Sequence, residues 1–328
     1  MRKNFTPQPS RLLPLFVTVC ALAVTSILVC SPCRGEERAT PGNPPDTEIT
    51  TEETSRPEDS IGENKLSPIE RREAEEKTIR AGVFAITTHR QNYFLPATYY
   101  SRRDKQRYEL AGENAPKNYE VKFQLSFKVL LWETMFWGNG DLFFAYTQVS
   151  FWQLYDKVLS SPFRESNYEP EVFARFDTDF TVFGFRSRLL SIGFDHQSNG
   201  QGPELSRSWN RVFAALEAER GDLTVALKPW YRIPESKKDD DNPNIEKYLG
   251  HGQLSGAYRL REHVFSFMLR DNLRLHDNKG AVELGWSHPI TRNVRAYVQY
   301  FNGYGESLVD YNISTNRIGV GVMLNDWI

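Results

Sequence analysis

Beyond residue 90, apolar and polar residues alternate strictly along several stretches of the chain. Val121, Phe123, Leu125, Phe127 and Val129 alternate with Lys122, Gln124, Ser126 and Lys128. Val172, Ala174 and Phe176 alternate with Glu171, Arg175 and Asp177, and Val282, Leu284 and Trp286 alternate with Glu283, Gly285 and Ser287. Ile318, Val320, Val322 and Leu324 alternate with Arg317, Gly319, Gly321 and Met323. A period of two puts successive side chains on opposite faces, so each stretch predicts a strand with one apolar face and one polar or small face. About twelve strands are expected, beginning near residues 91, 119, 142, 169, 181, 209, 222, 250, 263, 281, 294 and 316. The connections alternate too. Those near 177–180, 219–222, 260–263 and 288–293 are tight, and those at 101–118, 156–168, 197–208, 232–249, 272–280 and 303–315 are longer. The turn near 133–141 departs a little from that rule. Tight turns at one end, long loops at the other and an even strand count predict an all-β fold, a twelve-stranded antiparallel transmembrane β-barrel. A soluble β-sandwich or lipocalin-like barrel is the rival.

Composition sharpens the choice. Mean hydropathy is −0.54, and after the N-terminus there is no second run of ~20 apolar residues, so helical spans are excluded there. A barrel is not, because its strands average apolar and polar faces. Aromatics make up 13% of the chain, and Tyr231, Trp286, Tyr300 and Trp327 fall near strand ends, where an interfacial girdle lies. Val320 to Ile328 resembles the terminal strand of an outer-membrane barrel, although it ends in Ile with Trp327 one place inside.

The first residues have the pattern of an export signal. Arg2, Lys3 and Arg11 precede the almost wholly apolar run Leu12–Cys30, small residues follow, and charge begins at Glu36. Residues 1–35 are therefore expected to be a signal peptide cut near Gly35. A lipoprotein-type cut at Cys30 or Cys33, and a retained anchor, are the alternatives. Cys20, Cys30 and Cys33 all lie in this segment, so a chain cut at Gly35 relies on no disulfide and no thiolate metal site. The segment carries four basic residues and no acid, so its removal takes the formal charge from −2 to −6. Nothing in that balance points to a nucleic-acid partner. Residues 36–88 are rich in Glu, Thr, Pro and Arg and read as a flexible periplasmic arm with too little apolar surface to order itself. Residues 89–328 are expected to form the barrel.

One strand carries the candidate chemistry. Leu190, Ile192 and Phe194 share a face, and His196 and Ser198 continue the same parity, which in a polar-cored barrel is the lipid side. On the next strand Asn210 heads the parity of Val212, Ala214 and Leu216. Uncompensated polar groups on that wall are costly. A serine hydroxyl becomes a nucleophile when an imidazole takes its proton. Residues i and i+2 of a strand are ~6.5–7 Å apart, a suitable separation for His196 and Ser198. Asn210 can accept from the imidazole N–H and fix its tautomer. Gly200 is a candidate backbone oxyanion donor. A bare His-x-Ser is commonplace, and without these reactive groups the barrel would be a non-catalytic porin or structural protein.

The segments His196-Gln-Ser-Asn-Gly200 and Ser206-Arg-Ser-Trp-Asn210-Arg resemble outer-membrane phospholipase A. So do Tyr146-Thr-Gln148, Ser160-Ser-Pro-Phe-Arg-Glu165, Asn167-Tyr-Glu-Pro170, Lys228-Pro-Trp-Tyr231, Asp241-Asn-Pro243, Tyr304-Gly-Glu-Ser-Leu308 and Gly319-Val-Gly-Val-Met-Leu-Asn-Asp326. The likeness spans roughly residues 90–328. It implies a barrel in the cell outer membrane that hydrolyses acyl esters of phospholipids and lysophospholipids, depends on Ca2+ and is activated by dimerisation. By motif, Ser198 is the nucleophile, His196 the base, Asn210 its orienter and Gly200 the oxyanion amide. The implied calcium ligands are the Ser160 and Ser206 hydroxyls and the main-chain carbonyl of Gln201, where the family often has Arg. Gly202-Pro203 replaces a stretch that can carry an acid. Asp241 matches a further calcium position of the inactive monomer, and Gln148 matches a glutamine of the homodimer interface. His89, His251, His263, His276 and His288 have no partner pattern and are assigned no role.

Overall fold

The computed structural model describes residues 66–80, 85–101, 108–109, 115–135, 138–157 and 163–325. A helix, α1 (Pro68–Arg80), precedes the strands β1 (Ile86–Thr88), β2 (Asn92–Tyr100), β3 (Tyr119–Trp132), β4 (Asp141–Trp152), β5 (Phe163–Asp177), β6 (Thr181–Val182) and β7 (Phe185–Ser198). Then come β8 (Ser208–Arg220), β9 (Leu223–Ile233), the short helix α2 (Ile245–Leu249), β10 (Gly252–Leu260), β11 (His263–Asp271), β12 (Gly280–Pro289), β13 (Arg295–Gly303) and β14 (Thr315–Asn325). The long strands pair antiparallel with their neighbours, and β14 pairs back onto β2, so the sheet closes as a twelve-stranded barrel. Two short strands are accessories. β1 continues the line of β2 along β3, and β6 lies at the tip of the β5–β7 hairpin. No helix among the described residues is long and apolar enough to cross a membrane.

The alternation sorts as expected. Leu125, Val172, Ile192, Phe194, Val212, Leu284, Ile318 and Val320 are exposed on the outer wall, whereas Lys122, Ser126, Lys128, Glu169, Glu171, Asp195 and Arg211 are buried inside. Tyr231 is 65% exposed, as a girdle residue should be. Trp327 lies outside the described residues.

Ion pairs cross the lumen. Arg90 forks onto Glu169 at 3.0 and 2.8 Å and reaches Glu171 at 2.8 Å. Arg211 binds Asp195 at 2.6 Å and Glu169 at 2.9 Å, while Lys228 binds Glu171 at 2.7 Å. Between these groups lie cavities of about 220 and 160 Å³. Glu169, Glu171 and Asp195 are close enough to share a cation. Arg90, Arg211 and Lys228 already supply a positive charge for each carboxylate, so the cluster is accounted for as a structural network.

The structure differs from the sequence reading at three places. β5 begins at Phe163, not near 169, because its first turn of sequence (Arg164, Glu165, Ser166, Asn167) is polar on both faces and shows no alternation. Residues 68–80, expected within a flexible arm, form α1. The start of α1 is a capping box: the Ser67 hydroxyl accepts from the Glu70 amide at 3.3 Å, and the Glu70 carboxylate accepts from the Ser67 amide at 2.9 Å. Pro68 occupies the first helical position, where its missing N–H costs nothing. The helix is held by charge more than by apolar surface. Arg72 pairs with Glu217, Glu70 with Arg188 at 2.7 Å, and Glu76 with Lys128 at 2.6 Å and Arg175 at 3.2 Å. Burial would raise the Glu76 pKa, but Lys128, Arg175 and Arg72 outweigh it and hold it down at about 2. These partners sit at the short-turn end of the barrel, which outer-membrane barrels turn to the periplasm. The end of the expected arm is ordered too, because Ile86–Thr88 form β1 against β3, while residues 36–65 and 81–84 lie outside the described residues.

Candidate active site

The β7–β8 pair carries the site. Its register sets His196 opposite Asn210 and Ser198 opposite Ser208. Because parity alternates, Asp195 and Arg211, the neighbouring opposed pair, face inward. His196 and Asn210 face outward with Phe194 and Val212, which are 42% and 45% exposed. His196 Nδ1 and Asn210 Oδ1 are 2.9 Å apart. The described hydrogen bonds include none between His196 and the Ser198 hydroxyl, so the structure joins His196 to Asn210 and leaves Ser198 two residues along the same face.

Ser198 ends β7, and the next residues turn sharply. Gly200 has φ +60°, a left-handed conformation that glycine adopts without steric cost. A Cβ there would meet only the Tyr168 ring, at 3.4 Å. Buried Asn199 ties the turn down. Its side-chain N–H donates to the Leu205 carbonyl at 2.8 Å and to Glu165 at 3.3 Å, and its oxygen accepts from the Arg207 amide at 2.9 Å. Glu165, fully buried, also accepts from the Val309 amide at 2.8 Å. The 199–207 loop is therefore anchored to the start of β5 and, through Glu165, to the loop between β13 and β14.

Two expected calcium positions come together. The Ser206 hydroxyl donates to Asp241 Oδ2 at 2.5 Å, joining the 199–207 loop to the one after β9. Gln201 is half-buried in the same loop, and its side chain is occupied elsewhere, donating to the Arg164 carbonyl at 3.3 Å. A hydroxyl, a carboxylate and a backbone carbonyl are all hard oxygen donors, the chemistry that Ca2+ takes. Ser160 lies outside the described residues.

Gln148 lies on the outer wall of β4. Its opposed partner on β5 is Tyr168, and the opposed partner of Tyr168 on β7 is Ser198. One row across the wall thus links Gln148 to Ser198, two strand spacings apart. The Gln148 amide is satisfied within the chain: it accepts from the Tyr146 hydroxyl at 3.2 Å and donates to Ser150 at 2.9 Å.

One site residue was missed. Glu235, two residues beyond the end of β9, accepts from Asn210 Nδ2 at 3.0 Å. A lone Glu in a charged loop, 25 residues from its partner, carries no spacing signal; only the opposition of Ile233 to Asn210 brings it near. Of the unassigned histidines, His89 pairs with Glu171 at 2.8 Å in the lumen.

The sequence pattern of phospholipase A1 matches residues 69–324. The chain is similar to phospholipase A1 of Escherichia coli K12, with 44% identity over 247 residues, 74% of this chain and 82% of that relative. It is 45% identical to phospholipase A1 of Klebsiella pneumoniae over 246 residues, 74% and 83% of the two chains. Among solved structures, the outer membrane phospholipase A of Escherichia coli superposes with a TM-score of 0.70 and 42% identity, over 75% of this chain and all of that one. The outer membrane phospholipase dimer of Salmonella typhi with bound calcium gives 0.69 and 42%, over 75% and 94%.

Proposed function

The chain belongs to the phospholipase A1 family and is an outer-membrane phospholipase, and from that premise we propose that it acts through Ser198, His196 and Asn210, with calcium and as a homodimer. The carrying observation is the 2.9 Å contact of His196 with Asn210 on the outer wall. That contact leaves imidazole Nε2 as the base. It takes the Ser198 proton as the hydroxyl oxygen attacks the ester carbonyl carbon, and the resulting oxyanion is met by the Gly200 amide. Collapse expels the alcohol, which recovers the proton from His196, and water then hydrolyses the acyl-serine by the same route. A site on an outer wall has no deep pocket to fix a head group, so sn-1 and sn-2 esters and lysophospholipids are all substrates.

The calcium ligands on this reading are Ser206, the Gln201 carbonyl and Ser160, with Asp241 at a further position. When bound, the cation supplies positive charge beside the developing oxyanion. Ca2+ takes about six to eight oxygens, and one loop offers two, so we assign the remaining protein ligand to Ser160 of the partner subunit. The row from Gln148 to Ser198 supports this, because a dimer meeting at Gln148 brings the partner's wall beside the nucleophile. The Salmonella typhi relative is a dimer with bound calcium.

The test is fatty-acid release by purified protein with and without calcium, followed by mixing Ser160→Ala with Ser198→Ala. Neither variant alone is active, and the mixed heterodimer is expected to recover one working site. Full activity in chelator contradicts the calcium role. Failure to recover despite demonstrated heterodimers contradicts the shared site.

A further inference from the structure

The inference rests on the reading of Ser198, His196 and Asn210 as the reacting site, and it concerns what orients Asn210. An asparagine amide is nearly symmetric in shape, and His196 alone does not choose between its two orientations. With the oxygen toward the ring, imidazole Nδ1 carries the proton and Nε2 is free to act as a base. With the nitrogen toward the ring, Nδ1 accepts, Nε2 carries the proton, and the base is lost. Something beyond the pair must exclude the second arrangement.

Glu235 Oε1 lies 3.0 Å from Asn210 Nδ2. A carboxylate only accepts, so Asn210 must turn its N–H toward it and its oxygen toward His196. We infer that Glu235 is the positioning residue of this site, fixing the Asn210 amide and, through it, the tautomer of His196. The chain of donors then runs one way, from imidazole N–H to amide oxygen and from amide N–H to carboxylate. Hydrogen bonds linked in this way polarise one another, and one that ends on a charged acceptor is stronger than a neutral one.

Placement matters as much as chemistry. Asn210 opposes Ile233, the last residue of β9, and Pro234 carries the chain past the wall to a half-buried Glu235. A charge directly on the lipid-facing wall would be expensive. At the strand end the charge stays at the rim, and a neutral amide reaches down to the imidazole. The loop is fixed: Arg232 binds Asp240 at 2.7 Å and the Asn242 carbonyl at 3.3 Å, and Asp241 binds Ser206 at 2.5 Å.

The experiment is a double-mutant cycle on phospholipid hydrolysis with Glu235→Gln and Asn210→Ala. Glutamine keeps the shape and an acceptor, but it also offers a donor, so the amide is no longer forced one way. Activity is normalised to protein showing the heat-shifted native band on gels. Glu235→Gln is expected to lower kcat roughly 3- to 10-fold, the worth of one hydrogen bond, with KM unchanged. In the Asn210→Ala background it should have no further effect. The rate at which a sulfonyl fluoride labels Ser198 should fall by the same factor as kcat. Unchanged kcat in Glu235→Gln, or a full additional loss in the Asn210→Ala background, overturns the positioning role while Ser198→Ala remains inactive. An active Ser198→Ala instead removes the reading beneath it, and the inference falls with it.

Discussion

On the same two strands, one residue apart, the barrel carries two opposed polar pairs with different fates. Asp195 and Arg211 point inward, are joined at 2.6 Å, and belong to a lattice in which Glu169, Glu171, Arg90 and Lys228 leave little charge unmatched. His196 and Asn210 point outward, are joined at 2.9 Å, and stand among exposed apolar residues of the outer wall. Inside, the charged groups pair with one another across the lumen. Outside, His196 has one described side-chain partner, so its other nitrogen remains available for chemistry. A single step of strand parity separates the buried ion pair from the pair proposed to carry the chemistry.

The largest expected effect separates the two pairs most sharply. His196→Ala should lower fatty-acid release by about 10³-fold or more, the scale of a lost general base, with its thermal transition unchanged. Asp195→Ala should do the opposite. It strips one partner from a buried ion pair, which costs about 3–5 kcal/mol, read as a lowered unfolding midpoint, while the protein that remains folded keeps activity. Equal loss of activity per folded molecule in both variants would erase the distinction.

Asn210→Ala sharpens the outer side. An orienter gone, the imidazole still finds the productive tautomer part of the time, so kcat should fall by about 10- to 100-fold, less than for His196→Ala. A loss as large as that of His196→Ala would mean that Asn210 does more than orient.

The smallest effect belongs to the inner network at its periplasmic end. The folded-state pKa of Glu76 is depressed to about 2. Its stabilisation is complete above the ordinary carboxylate range and is lost as pH falls from about 4.5 through 2. Between pH 7 and pH 3 the docking of α1 should weaken by on the order of 1–2 kcal/mol. Amide exchange of residues 68–80 reads this, and Glu76→Gln should flatten the dependence. An equally steep acid dependence in Glu76→Gln would place the titrating group elsewhere.

Much of this contrast was legible in the sequence. Alternation located the long strands, and parity alone put His196, Ser198 and Asn210 on one wall. What escaped did so for identifiable reasons. The first residues of β5 rise above the apolar band, where both faces are polar and no period survives. The composition of α1 denies it an apolar stripe; it orders because the barrel mouth presents Lys128, Arg175, Arg188, Glu217 and Glu219 to it. Its Ser67-Pro68-Ile69-Glu70 start was the available signal. Glu235 reaches Asn210 through a loop, and loop contacts leave no periodic trace.

On the proposed mechanism Ser198 becomes covalently acylated on the outer wall. Treating the purified, calcium-loaded protein with a long-chain sulfonyl fluoride and locating the adduct by peptide mass spectrometry tests it directly. The account predicts one adduct, on Ser198, rising in step with loss of activity and absent in His196→Ala. An adduct on another residue, or full activity with Ser198 stoichiometrically modified, would contradict it.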